Sequence, residues 1–341
     1  MKKRIMVALL TAGMTLSLFA GCGASDKDSS ASSANTSIEK SSSAVSESKA
    51  ESKEEAKSNS EINVGVALCS TTTEYWSRVA DGVNSKAEEL GINVTLVAPS
   101  SETDVTGQIS NLEDMIAAGM DAICCGPCDS TTVGGTLETA IDAGIPVIIV
   151  DTDVKDIDRS AFVGISQAEA AYETKPYVEE AVGKGFKAAL IGGIQGHEAT
   201  TGRLEGFTNI CNDLDGEVIE TQYGDWTSDT AMTITEAYLA KYGEGELDVI
   251  MCASDNTALG AVSAVEAAGR TDVKVVGFDG NESAVQAVID GRMVATVSQD
   301  GKAIGEAIVE TLYTWATGGK TDEYVLVDCV GIGPDNAKDF L

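Results

Sequence analysis

From Ile62 onward the chain alternates short apolar runs with amphipathic segments of helical length, and that alternation restricts its fold more than any other feature. The order is INVGVALC, Tyr75 to Leu90, INVTLVA, Val105 to Ala118, DAICC, Thr131 to Ala143 and IPVIIVD, which reads as β-α-β-α-β-α-β. Strands separated by helices run parallel, because each crossover returns the chain to the same edge. Gly91, Gly119 and Gly144 each fall just past a helical segment, where a left-handed residue closes a helix.

The same order recurs at an offset of roughly 125 residues, as a duplicated unit would. Asp81-Gly82 corresponds to Glu205-Gly206, the stretch Asp121 to Cys125 to Asp248 to Cys252, and Gly144 to Asp151 to Gly269 to Asp279. After Asp279 a helix over Ser283 to Ile289, the strand VATVSQD, a helix over Ala303 to Ala316 and a last strand, YVLVDCVGIG, are expected. These elements are too few for a third domain and return to the two lobes. The expected fold class is α/β, with two similar doubly wound parallel-sheet lobes.

Two strands end on an acid. IPVIIVDTD carries Asp151 and VKVVGFDGN carries Asp279 to the carboxyl ends, where open parallel sheets meet their ligands. A carboxylate accepts two hydroxyl hydrogen bonds and so suits the vicinal diols of a sugar. Helix capping and turn formation are the other common uses of such an Asp. Paired carboxylates are also the glycosidase arrangement, which nothing else in the chain supports. Tyr75, Trp76 and Trp226 are candidate stacking residues, since aromatic faces cover sugar C–H faces. Core packing is the alternative use of these rings.

The first 24 residues begin with Lys2, Lys3 and Arg4, continue as an apolar run from Ile5 to Ala20 and end in small residues around Cys22. This is a secretory signal peptide over residues 1–21, and the run is short for a membrane span. Leu18 to Cys22 resembles a lipobox, with Phe19 where Leu is usual; the resemblance implies a lipidated Cys22 and a membrane anchor. Residues 22–60 contain Ser, Ala, Glu and Lys with almost no large apolar side chain, and form a tether or a partly helical stalk.

The formal net charge is −31, with no Lys/Arg cluster beyond the first four residues, so nucleic acid is excluded as a partner. The eight cysteines are scattered through apolar runs rather than spaced as a disulfide framework. Cys125-Gly126-Pro127-Cys128 has the thioredoxin pattern, against the expectation that this turn forms a ligand rim with Asp129 capping the next helix. His197 is the only histidine, so a two-His metal site is impossible; no cofactor, metal or catalytic residue is expected.

In this order and spacing, the motifs NVGVALCSTTTEYW, AGIPVIIVD, TTGRLEGF, ASDNTALGAVSAVEAAG, VVGFDG, VATVSQD and VGIGPDN resemble the type I periplasmic sugar-binding proteins that serve ABC importers, of the ribose and galactose kind. The resemblance covers nearly all of residues 62–341. It implies the type I periplasmic binding protein fold, with three hinge crossovers near Gly164–Ser166, Val297–Asp300 and Val327–Cys329. The lobes would be residues 61–164 with 299–326, and 165–298 with 327–341. It also implies ligand roles for Asp151, Asp279, Trp226, Ser254 and Gln299. Thr73 and Gly126 match positions where relatives often carry Asn. Thr152 and Thr201 stand at arginine positions of the ribose pattern, which puts ribose in doubt. Arg203 either reaches ligand or pairs with a nearby acid, and His197 matches a histidine near the ligand in galactose-type relatives. The implied activity is capture of a monosaccharide outside the cytoplasm and delivery to an ABC permease. A receptor passing a sugar-like signal to a membrane sensor, and an extracellular thiol oxidoreductase using the CGPC turn, are the alternatives.

Overall fold

A computed structural model describes residues 57–341; the signal segment, Cys22 and most of the tether lie outside them. The first half runs β1 (Asn63–Ala67), α1 (Glu74–Leu90), β2 (Asn93–Val97), α2 (Val105–Ala118), β3 (Ala122–Cys125), α3 (Gly134–Asp142), β4 (Val147–Val150) and β5 (Ala161–Gly164). The second runs α4 (Gln167–Tyr172), α5 (Lys175–Val182), β6 (Lys187–Gly192), α6 (Glu198–Asp213), β7 (Glu217–Tyr223), α7 (Ser228–Lys241), β8 (Val249–Cys252), α8 (Asp255–Ala267), β9 (Lys274–Val276), α9 (Glu282–Ile289) and β10 (Thr296–Ser298). Then follow α10 (Gly301–Ala316), β11 (Tyr324–Leu326) and β12 (Val330–Ile332).

The first sheet has the order β11-β5-β4-β3-β1-β2 and the second β7-β6-β8-β9, all in parallel pairs. Each contains the order 2-1-3-4 of its own half, so the repeat read from the sequence is a repeat of topology. It extends to single hydrogen bonds. The Asp121 carboxylate accepts the Asn63 N–H at 2.9 Å at the start of β1, and Asp248 accepts the Lys187 N–H at 2.7 Å at the start of β6. The matched glycines also share one task. A Cβ on Gly82 of α1 would lie 2.1 Å from the Lys302 carbonyl of α10, and one on Gly206 of α6 would lie 2.4 Å from the Ala168 carbonyl of α4. In each half a glycine lets a helix from outside the repeat cross at backbone distance.

Central strands β3, β4 and β8 are apolar and buried throughout, as strands covered by helices on both faces must be, whereas β2 and β7 are edge strands and partly exposed. Gly91 and Gly119 take left-handed conformations at the ends of α1 and α2, and Gly144 does so just past α3.

Two expectations are corrected. YVLVDCVGIG is not one strand: β11 pairs with β5 in the first sheet, and β12 pairs antiparallel with β10, which bridges to the second. Its alternating apolar residues cannot reveal that the chain changes sheets at residues 327–329. Nor does Asp129 cap α3. Its Oδ1 accepts the N–H groups of Thr131 and Thr132 at 3.0 and 2.6 Å, so those residues form a turn and the helix starts at Gly134.

Candidate functional site

Both sheets direct their carboxyl ends at one cavity of about 330 Å³. Every wall segment follows a strand. Thr73, Tyr75 and Trp76 come after β1, Glu102 after β2, Cys128 after β3 and Asp151 directly after β4. From the other half come Ile194 and His197 after β6, Trp226 after β7, Ser254 after β8, and Asp279 and Asn281 after β9. The strand order reverses beside β1 and β6, and crevices form where crossovers diverge in this way.

The two acids sit in unusual backbone. Asp151 has φ 66° and Asp279 φ 124°, a region non-glycine residues rarely occupy because Cβ crowds the backbone. The Asp151 N–H donates to the Val163 carbonyl at 3.1 Å and the Asp279 N–H to Val297 at 3.1 Å, so each turns out of its strand while still tied to the next. The Asp151 carboxylate accepts the Tyr75 hydroxyl at 3.2 Å. That of Asp279 accepts the N–H of Asp255, the first residue of α8, at 3.4 Å.

Arg203 of α6 joins the two acids, and both uses the sequence left open for it bear on the answer. A guanidinium carries five N–H donors. Here Nε donates to Gln167 Oε1 at 2.8 Å, Nη1 to the Ala253 carbonyl at 2.9 Å and Asp279 Oδ1 at 3.1 Å, and Nη2 lies 3.4 Å from Gln299 Oε1 and 3.5 Å from Asp151 Oδ1. Four hydrogen bonds and the ion pair with Asp151 hold the group, with the guanidinium carbon 4.0 Å from the centre of the Phe278 ring. Arg203 borders the cavity, yet its donors serve the protein.

Tryptophans close two sides, each resting on a glycine. A Cβ on Gly126 would lie 3.1 Å from the Trp76 ring and one on Gly193 2.2 Å from the Trp226 ring, so Gly126 makes room for an aromatic and is itself off the cavity wall. Tyr75 meets Trp76 edge-on at 5.0 Å, and His197 meets Trp226 edge-on at 5.6 Å.

Thr152, Thr201 and Gln299 also lie off the cavity wall. Thr152 is buried, its hydroxyl 3.2 Å from His197 Nδ1 and 3.3 Å from Asp151 Oδ2. Thr201 is exposed and donates to the His197 carbonyl at 3.0 Å, one helical turn back. Gln299 is buried with its amide nitrogen unpartnered. Thr73, Tyr75, Trp76, Asp151, His197, Arg203, Trp226, Ser254 and Asp279 do line the cavity.

Sequence reasoning missed Glu74, Arg78, Glu102 and Asn281. Arg78 of α1 donates to the carbonyls of Asp279 and Gly280 and to Asn281 Oδ1, each at 3.1 Å, and Glu74, one turn earlier, accepts from the Glu282 N–H and the Ser283 hydroxyl. The only local signal was their i, i+4 spacing on one face of α1. With the His197 contacts to Thr152 and to the Pro127 carbonyl (3.2 Å), these bonds join the two halves across the cavity.

Burial sets the protonation of the site. It raises the Asp279 carboxyl to about 6, with Arg203 holding it lower than it would otherwise be. It raises Glu102 to about 7, aided by the charges of Asp279 and Asp151. It lowers His197, so the imidazole is neutral near pH 7, and the Pro127 carbonyl, which can only accept, places the ring proton on Nε2.

The CGPC turn is not a thioredoxin site. Burial pushes the Cys125 thiol well up, and the two side chains enter different apolar clusters, Cys125 with Leu137 and Cys128 with Trp76. A reactive thiol needs the reverse, a depressed pKa at an exposed helix start. All seven cysteines among the described residues are free. Among those residues no group of three or more His, Cys, Asp or Glu side chains is arranged to hold a metal ion.

A family model described as the periplasmic binding protein domain matches residues 64–320. The ribose import binding protein of Bacillus subtilis is 28% identical over 250 residues, which cover 73% of this chain and 80% of that protein. An ABC transporter periplasmic solute binding protein from Actinobacillus succinogenes with bound D-allose superposes with a TM-score of 0.76 at 25% identity, covering 82% of this chain and 100% of the other. One from Bacillus halodurans with bound myo-inositol gives 0.77 at 26%, covering 83% and 98%.

Proposed function

The chain belongs to the periplasmic binding protein domain family, whose members are substrate-binding proteins of ABC importers rather than enzymes, and from that premise we propose that it captures a monosaccharide between its two lobes and delivers it to an ABC permease. The observation that carries this reading is the cavity with an Asp at the strand end of each half and a tryptophan on each side. Its volume lies at the lower end of the range for small-molecule sites, and its walls combine apolar faces with a few polar groups. Relatives that bind ribose, allose and inositol point to the same solute class.

The lobes are assigned to residues 61–164 with 299–326 and 165–298 with 327–341, and the hinges to the segments near residues 164–166, 297–300 and 327–329. Closure follows from differential affinity: contacts from both lobes exist only in the closed form, so ligand favours it. Asp151, Asp279, Tyr75, Trp76, Trp226, Ser254 and Thr73 are the proposed ligand contacts. The protein is held outside the cytoplasm by a lipid on Cys22, with residues 22–60 as tether. A thermal-shift screen with pentoses, hexoses and polyols tests the solute class, because a ligand bound only by the folded state raises its stability. Absence of any shift across the panel refutes it. Mass spectrometry of the membrane fraction tests the anchor, and a Cys22→Ser chain that stays membrane-bound refutes that part.

A further inference from the structure

The charges around the cavity do not balance. Glu74, Glu102, Asp151 and Asp279 line it, and the only cation on the wall is Arg203, because His197 is neutral. Glu74 has Arg78 at 4.0 Å and two hydrogen bonds across the lobes. Arg203 pairs with both Asp151 and Asp279 and makes four hydrogen bonds within the protein. One guanidinium therefore serves two carboxylates. Glu102, half-buried in the loop between β2 and α2, belongs to no ion pair among the described residues.

A neutral sugar would leave that excess in place and remove water from it. An unpaired carboxylate taken out of water either takes up a proton or meets a cation. Glu102 is raised to about 7 by its burial and by the two aspartates, against the lowering by a hydrogen bond from Thr73 and by the Arg203 charge. The aromatic walls favour the same occupant, since tryptophan and tyrosine rings attract ammonium groups as well as sugar C–H faces. An amino acid fits poorly, because its carboxylate would enter an acidic cavity whose single guanidinium already pairs with two aspartates.

We infer that the cavity takes a monosaccharide carrying a protonated amine, with Glu102 receiving the ammonium group and the strand-end aspartates the hydroxyls. This rests on the sugar-binding reading and narrows it to amino sugars. Glu102 is then the residue that separates an amino sugar from its neutral parent.

The test is isothermal titration calorimetry of the protein with matched pairs: glucose and glucosamine, galactose and galactosamine, and the N-acetyl forms, which keep the bulk and lose the charge. In at least one pair the amine is expected to bind about tenfold or more tightly than both its parent and its N-acetyl form. Glu102→Gln, nearly isosteric and in a loop, is expected to abolish that preference; its unfolding temperature without ligand checks that the fold is intact. A neutral parent that binds more tightly than its amine in every pair overturns the inference and leaves the sugar-binding reading standing. So does a preference that survives Glu102→Gln. Failure of every monosaccharide, charged or neutral, refutes both.

Discussion

Replacing Arg203 by Met removes the cation but keeps much of the side chain's length, and the structure fixes what is lost. Asp151 and Asp279, 6 and 7% exposed, lose their counter-ion, and the oxygens of Gln167, Ala253 and Gln299 lose a donor. Breaking a buried ion pair by removing one partner costs about 3–5 kcal/mol. At roughly 2–4 °C per kcal/mol for a domain of about this size, the unfolding temperature should fall by roughly 6–20 °C at pH 7. The pH dependence supplies a second reading. Loss of Arg203 raises the folded-state pKa of Asp279 further above its unfolded value, so the folded state holds the extra proton and stability rises as pH falls toward about 6 and below. The deficit relative to the unsubstituted protein should therefore narrow between pH 7 and pH 5 in differential scanning calorimetry. A fall of less than about 2 °C, or a deficit that does not change with pH, would refute the keystone role of Arg203.

Asp279→Asn keeps the shape of the side chain and removes its charge, and should weaken sugar binding more than tenfold, because a charged hydrogen bond contributes about 1.5–3 kcal/mol; unchanged calorimetric affinity sinks the assignment. Thr201→Ala should leave sugar affinity within about twofold, since the side chain faces solvent; a tenfold loss would restore it to the site. Gly305→Ala places a Cβ 2.1 Å from the Val79 carbonyl where α10 crosses α1, and should destabilise the fold by about 1–3 kcal/mol or more, measured by denaturant unfolding. Cys125 and Cys128 should react with a thiol reagent only on unfolding; rapid labelling of the native protein would contradict their burial.

Much of this molecule is written locally. The alternation of apolar runs and amphipathic segments and the closing glycines depend on residues near each other in the chain, and the Asp121/Asp248 match is a repeat of sequence, so the helices, the parallel strands and the duplicated lobe were legible. The strand-end acids were legible too, because a carboxylate at the end of an apolar run has few uses. Side-chain direction was not. Thr201 and Arg203 are two residues apart on α6, and 3.6 residues per turn sends one to solvent and the other to the centre of the site. Gly126 stands in for asparagine in sequence, but in space it makes room for Trp76.

The sequence by itself determined the fold class, the repeat and which strand ends would border the cavity, because these follow from periodicity and from the chemistry of single residues. Only the tertiary structure decided that Arg203 is spent on two aspartates, that Arg78 and Glu74 tie the halves together and that Glu102 stands without a cation. The physical reason is that charge balance is a sum over loops brought together by two sheets, and no stretch of chain contains that sum.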